Sequence, residues 1–274
     1  MAHRQAGTIG SRGGARSAAG SGRRAVDPVL AAQIAFPLLL IAVWQVVGML
    51  AGDFYVATPV QAVDALAGGV SKGWFFDSLG ATLAATAIGF AIAAVAGLWI
   101  GVTLGLVRFW GKVFEPITLS VYSIPKVTLF PIFLTAFGFG LYSKIAFGMF
   151  HGIFPIIIIA MNATREVSPV HLKVARSLRL SRMATFRQVI FPSIFPSLLT
   201  GLRLGFSLTL LGVVLGEMFA SRAGFGYELV EAITLHDMPR MYGIVAVLVV
   251  IAFIVNALFL RWEHAAARAA AGRA

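Results

Sequence analysis

Lys126, Arg203 and Glu217 stand inside long stretches that are otherwise almost uncharged. An ion at such depth is costly and faces protein or water, so each is a candidate for handling a charged solute. Ser123 and Thr128 place hydroxyls beside Lys126, and Pro125 and Pro131 interrupt the helix there. Backbone groups freed by such a break need protein or a water-filled cavity. Ser123, Pro125, Lys126 and Thr128 therefore form one candidate lining, suited to an anion; alternatively Lys126 serves an acid or a helix end. Arg203 and Glu217 are fourteen residues apart, about 21 Å along a helix, and fall on nearly the same face. They border a pathway or gate, or each pairs with another helix. His151 is alone on an apolar helix and reads as packing.

Covalent chemistry finds no foothold. There is no Cys, and the five His make no HExxH and no ligand-spaced cluster, so no metal site is expected. Gly111-Lys112 runs into Val113 and lacks the upstream Gly of a phosphate-binding loop. No catalytic residue is assigned.

The elements that must position these groups are helices in lipid. Of 274 residues, 59% are hydrophobic and only 12% charged, about half the usual charged share. Six runs reach the roughly 20 residues that span a bilayer: Val29–Ala51, Leu79–Val107, Val113–Gly140, Ile145–Ala163, Ile194–Ala220 and Tyr242–Leu260. Long apolar blocks rather than alternating ten-residue segments exclude a barrel. The net charge of +11 would suggest nucleic acid in a soluble chain. Here sixteen of the 22 Lys and Arg lie in segments 1–28, 108–112, 164–192 and 261–274. That bias puts both termini in the cytoplasm and accounts for the charge without nucleic acid. The expected organisation is a disordered basic tail (1–28), a spanning domain (29–262) and a short C-terminal tail (263–274).

Two patterns concern packing and partners. Gly97, Gly101 and Gly105 recur every four residues, which permits close helix approach within the subunit or between subunits. In the loop 164–192, Val170, Val174 and Leu178 also recur every four residues, with Lys173, Arg176 and Arg179 between them. That is a short amphipathic helix with a basic face, fit for a membrane surface or a partner's groove.

This loop resembles the EAA signature of permease subunits in binding-protein-dependent ABC importers. Lys173-Val174-Ala175, then Arg179, then Val189-Ile190-Phe191-Pro192 keep its register. Lys173 replaces the family acid and Arg179 the family Gly. Ser123–Pro131 followed by Phe137-Gly138-Phe139-Gly140, Thr200–Arg203, Gly216-Glu217-Met218, Gly224–Tyr227 and Ala57-Thr58-Pro59 are similar to the nitrate/sulfonate/taurine branch. The likeness covers about residues 55–262.

The resemblance implies an all-α membrane protein of the type I importer permease fold, with six spans and a cytoplasmic coupling helix. It implies a homodimer in the bacterial inner membrane, two ABC ATPases and one periplasmic solute-binding protein. This chain would bind no cofactor; ATP and Mg would sit on the ATPase. Lys173, Val174, Ala175, Leu178, Arg179 and Pro192 would form the ATPase contact. The cargo would be a small anion such as a sulfonate, taurine or nitrate, or alternatively a heterocyclic vitamin precursor. A secondary transporter would need no ATPase, and a membrane enzyme would need clustered reactive side chains.

Overall fold

In the computed structural model, residues 28–52 and 54–271 are described, and all regular structure among them is helical. The expected basic tail lies, apart from Pro28, outside the described residues. Helix α1 (Pro28–Ala51) is followed by α2 (Pro59–Ser71) and α3 (Trp74–Leu106). Next come α4 (Arg108–Ser123), a 3₁₀ turn (Lys126–Leu129), α5 (Phe130–Phe137) and α6 (Leu141–Arg165). Short helices α7 (Pro169–Ser177) and α8 (Arg182–Thr185) lead through a π-turn (Phe186–Ile190) into α9 (Phe191–Ala220). Helices α10 (Phe225–Thr234) and α11 (Met238–Ala271) complete the chain.

The chain divides at Val43. The described part before it is the first stretch of α1, and the chain from Trp44 onward is one packed unit. Among the described residues, four runs are long and apolar enough to cross a membrane: 74–106, 141–165, 182–220 and 238–268. The pair α4 and 126–137 adds a fifth if it counts as one span. In α1 the apolar stretch is Ala35–Ala51.

Local chemistry explains several boundaries. Thr58 caps α2, with Pro59 in the first turn and Gln61 closing a reciprocal capping box. Trp44 donates its indole N–H to the Ala57 carbonyl at 2.9 Å, fixing the approach to that cap. Helix α3 starts five residues before the apolar run does, because Asp77 in its first turn suits the positive end of the helix. Helix α11 runs on to Ala271, through most of the segment expected as a C-terminal tail (263–274), because that segment is rich in alanine, the best helix former.

The core is α6 between α3 and α9. The α3 glycines meet α6 of the same chain. A Cβ on Gly97 would lie 2.9 Å from Ile156 Cγ2, on Gly101 2.6 Å from the Ile157 carbonyl oxygen, and on Gly105 2.5 Å from Thr164 Cβ. The stripe thus serves packing within the subunit. The other side of α6 is as close: a Cβ on Gly152 would lie 2.0 Å from Thr209 Oγ1. A buried apolar cluster of Leu210, Val214, Phe225, Leu229 and Ile244 ties α9, α10 and α11 together.

The third expected span does not run straight. Ile124 is extended (φ −65°, ψ 135°) because the residue before a proline is driven out of the helical region. The helix stops at Ser123, and the chain resumes at 88° to it.

Gly101→Ala sets a methyl against a backbone oxygen that cannot swing aside. Overpacking of this kind should cost about 1–3 kcal/mol, read as a lower melting temperature in detergent. Gly68, on α2, has nothing within 4 Å of an added Cβ. Gly68→Ala should leave the melting temperature unchanged or raise it, since glycine within a helix costs roughly 0.5–1 kcal/mol.

Candidate functional site

Glu217, near the end of α9, is 0% exposed. Burying a carboxylate without a partner is costly. Lys144, in the first turn of α6 and 3% exposed, donates to Glu217 Oε1 at 2.9 Å. Thr82 Oγ1 of α3 donates to Oε2 at 2.8 Å, and the Gly226 N–H of α10 donates to the same oxygen at 3.0 Å. Thr82 Oγ1 also accepts from the Phe225 N–H at 2.9 Å, and Lys144 Nζ reaches the Ala223 carbonyl at 3.3 Å. Four helices therefore converge on one carboxylate. Gly224 (φ +110°) crosses so close that a Cβ there would lie 2.1 Å from Glu217 Oε1. Position 224 needs glycine both for its backbone angle and for this approach.

Lys144 escaped the reading of the sequence, since it stands just before the uncharged run at Ile145. Helix α6 begins at Leu141, so its first turn carries Lys144 inward. Arg203 has a separate partner: its guanidinium lies 3.7 Å from Glu263 of α11, which also accepts from the Thr200 hydroxyl at 2.7 Å. Glu217 and Arg203 thus hold two different pairs, each bridging to another helix.

A second polar cluster lies by α10, and sequence reasoning did not single it out. Glu228 accepts from Ser78 Oγ of α3 at 2.9 Å and from Arg240 of α11. Arg240 also donates to Glu231 at 3.0 Å and packs over the Trp74 ring at 4.6 Å. The available signal was the three-residue spacing of Glu228 and Glu231, which puts both on one helical face.

At the break after α4, Lys126 turns back on its own helix. Its Nζ donates to the Tyr122 carbonyl at 3.0 Å, 4.2 Å from the Tyr122 ring centre and 5.8 Å from that of Phe154. Among the described residues it has no carboxylate partner. The hydroxyls of Ser123 and Thr128 donate to the carbonyls of Leu119 (2.9 Å) and Pro125 (2.7 Å), which leaves their lone pairs free. Ser123, Pro125 and Thr128 are exposed on this chain. His151 is buried, with Nδ1 3.0 Å from the Phe147 carbonyl and its ring against Phe147, as packing requires.

The amphipathic loop forms α7. Ser168 caps it, and Pro169 occupies its first turn. Arg179 has φ +53°, and the N–H groups of Arg179 and Leu180 reach back to the Arg176 and Ala175 carbonyls at 2.9 and 3.0 Å. This is a Schellman ending, which normally takes glycine at the Arg179 position. Val174 (52% exposed) and Leu178 (67%) face outward with Lys173 and Arg179, whereas Ala175 is only 1% exposed. Ala175, grouped with the contact residues from its motif position, packs into its own chain. Pro192 lies in the first turn of α9, just after the π-turn that the Phe191 N–H closes onto the Phe186 carbonyl. Arg165, four residues before α7, donates to Glu115 of α4 at 2.6 Å.

These features define a multi-pass helical membrane protein with a short amphipathic helix between two long spans. The chain belongs to the family of binding-protein-dependent transport system inner membrane components, which it matches over residues 93–270. It is an ABC importer permease subunit of the nitrate/sulfonate branch. It is 28% identical over 230 residues to the formylaminopyrimidine transport permease protein ThiX of Halalkalibacterium halodurans, covering 82% of this chain and 88% of that one. It is 28% identical over 217 residues to the putative aliphatic sulfonates transport permease protein SsuC of Bacillus subtilis (78% and 79% covered). It is 29% identical over 218 residues to the nitrate import permease protein NrtB of Synechococcus elongatus (76% and 77%). The fold matches an inward-facing structure of the MetNI methionine ABC transporter with TM-score 0.61 at 19% identity, over 69% of this chain and 94% of that one.

Lys144→Met leaves the Glu217 carboxylate buried and uncompensated. It should destabilise the protein by about 3–5 kcal/mol, whereas Lys144→Met with Glu217→Leu should recover much of the loss. Thermal melts of the three purified proteins would decide this. Arg179→Gly relieves a left-handed residue costing about 1–2 kcal/mol at the expense of glycine's larger unfolded-state entropy, about 0.5–1 kcal/mol. A small rise in melting temperature is expected.

Proposed function

We propose that this chain is the homodimeric six-span core of an ATP-driven importer for a small anion. In this reading α1 and the bent pair α4–α5 complete the six spans, both termini are cytoplasmic, and the substrate path runs between the two subunits. A periplasmic binding protein delivers the cargo. Two ABC ATPases, carrying ATP and Mg, take up α7 as the coupling helix through Val174, Leu178, Lys173 and Arg179, with Ala175 and Pro192 setting its seat. ATP-driven closure would push α7. Arg165 and Glu115 would carry that displacement to α4, whose far end bears Ser123 and leads into Pro125, Lys126 and Thr128.

The observation that carries the anion is Lys126. It is a cation at a helix break, without a carboxylate partner among the described residues, while the hydroxyl protons of Ser123 and Thr128 are donated to backbone carbonyls. Such a group invites a mobile negative charge. The sulfonate and nitrate permeases among the relatives support the same class. Arg203 and Glu217 act in this reading as hinges of the pathway wall, through their interhelical pairs. The Gly97, Gly101 and Gly105 contact keeps α3 and α6 moving together. A second reading, a heterocyclic vitamin precursor, is favoured by the rings of Tyr122 and Phe154 near Lys126 and by the ThiX relative.

A tagged pull-down from native membranes tests the assembly. A phosphate-loop ATPase should be recovered, and Val174→Asp with Leu178→Asp should lose it. If no ATPase appears even after crosslinking, an ATPase-independent transporter replaces this reading. For cargo, uptake of taurine, nitrate and formylaminopyrimidine should be compared. Lys126→Met should lower uptake of the anion at least about tenfold, one charge-assisted contact being worth roughly 1.5–3 kcal/mol, with ATPase recovery unchanged. Uptake of the pyrimidine alone would move the second reading to first place.

A further inference from the structure

The face of α7 and α8 is more than amphipathic. Val170, Val174, Leu178 and Met183 form an exposed apolar line. Lys173, Arg176, Arg179, Arg182 and Arg187 are all exposed around it. No Asp or Glu occurs from Val167 to Pro192. Among the described residues, none of these five cations makes an ion pair.

Local helix electrostatics explains only part of this charge. Arg176 and Arg179 lie at the C-terminal end of α7, where a cation is favoured. Lys173 is in mid-helix. Arg182 opens α8, the end at which a cation is disfavoured. The cytoplasmic bias of Lys and Arg accounts for cations in this loop, but not for their grouping around an exposed apolar line.

We infer that α7 docks in a cleft with an apolar floor and an acidic rim, whose carboxylates face Lys173, Arg176, Arg179 and Arg182. This rests on the coupling reading above and specifies its partner: the ATPase of this importer carries clustered Asp or Glu at the rim of the receiving groove. Charge complementarity selects the occupant, since four like charges on so short a segment repel a neutral or basic rim and steer an acidic one. The rigid ending of α7 supports a protein rather than a lipid partner. Arg179 is held in the left-handed region by two backbone hydrogen bonds, so its direction is preset. The exposed apolar line has two valines and no aromatic anchor of the kind that seats a helix in a bilayer surface.

The test uses the full chain in nanodiscs and the ATPase recovered with it. Association is followed as salt rises from about 50 mM to about 500 mM, which shortens the screening length roughly threefold. The natural chain should associate at least about tenfold more slowly at high salt. The quadruple variant Lys173→Gln, Arg176→Gln, Arg179→Gln, Arg182→Gln should associate slowly at both, with an unchanged melting temperature. A natural chain insensitive to salt, or a quadruple variant as fast as the natural chain, overturns the acidic rim. So does a salt effect that vanishes when phosphatidylglycerol in the disc is replaced by phosphatidylcholine, which would assign the cations to lipid. Val174→Asp with Leu178→Asp separates the two levels. If that variant still binds normally, the docking reading itself falls. If it fails to bind while the cations prove irrelevant, only the acidic rim falls.

Discussion

A single carboxylate in the dry interior sets the terms for one end of this molecule. Glu217 and Lys144 are buried against each other, and removing either would leave the other without its partner. Once the pair forms, the remaining lone pairs must be filled, and Thr82 and the Gly226 N–H fill them. These demands fix α3, α6, α9 and α10 relative to each other more narrowly than apolar packing would. They also dictate local sequence. Gly224 must be glycine, and a Cβ on Gly216 would fall 3.0 Å from Lys144 Cα. Such a pair contributes little net stability over a hydrophobic replacement, but it penalises any arrangement that separates its members.

Away from that pair, close approach of backbones does the organising. In lipid there is little hydrophobic gain from bringing helices together, so small residues at crossings and direct polar contacts carry more of the work. Helix α6 shows both. It meets α3 and α9 through glycines and places Lys144 and Arg165 near its two ends, each on an acid from another helix. The chain then tolerates one sharp departure from helix, between Ser123 and Lys126, where the hydroxyls and the ammonium satisfy nearby carbonyls.

Much of this was legible in the residues. Apolar runs locate helices because a span must be long and uncharged, and α3, α6, α9 and α11 lie where those runs do. The glycine ladder announced a close crossing, and Pro125 announced a break. Four things were not legible. Nothing local says which way a helix end faces, so the burial of Lys144 against Glu217 could not be read. The direction taken after Ser123 depends on what the chain meets next. The orientation of Ala175 depends on its own chain's packing, which motif spacing does not encode. The Glu228–Arg240 cluster escaped because its partners are nine or more residues apart in sequence and joined only by the fold.

The π-turn at Phe186–Ile190 bears on how tolerant this architecture is to insertions and deletions. Its Phe191 N–H reaches five residues back instead of four, so the rod from Arg182 to Ala220 carries one surplus residue. A loss of one residue at this point would tighten the turn to an ordinary one while the helix faces on either side kept their headings. Elsewhere in α9 the same loss would rotate everything beyond it by about 100° and swing Glu217 away from Lys144. A change of length in this span would thus be absorbed in one short stretch, far from the carboxylate that its other end must deliver.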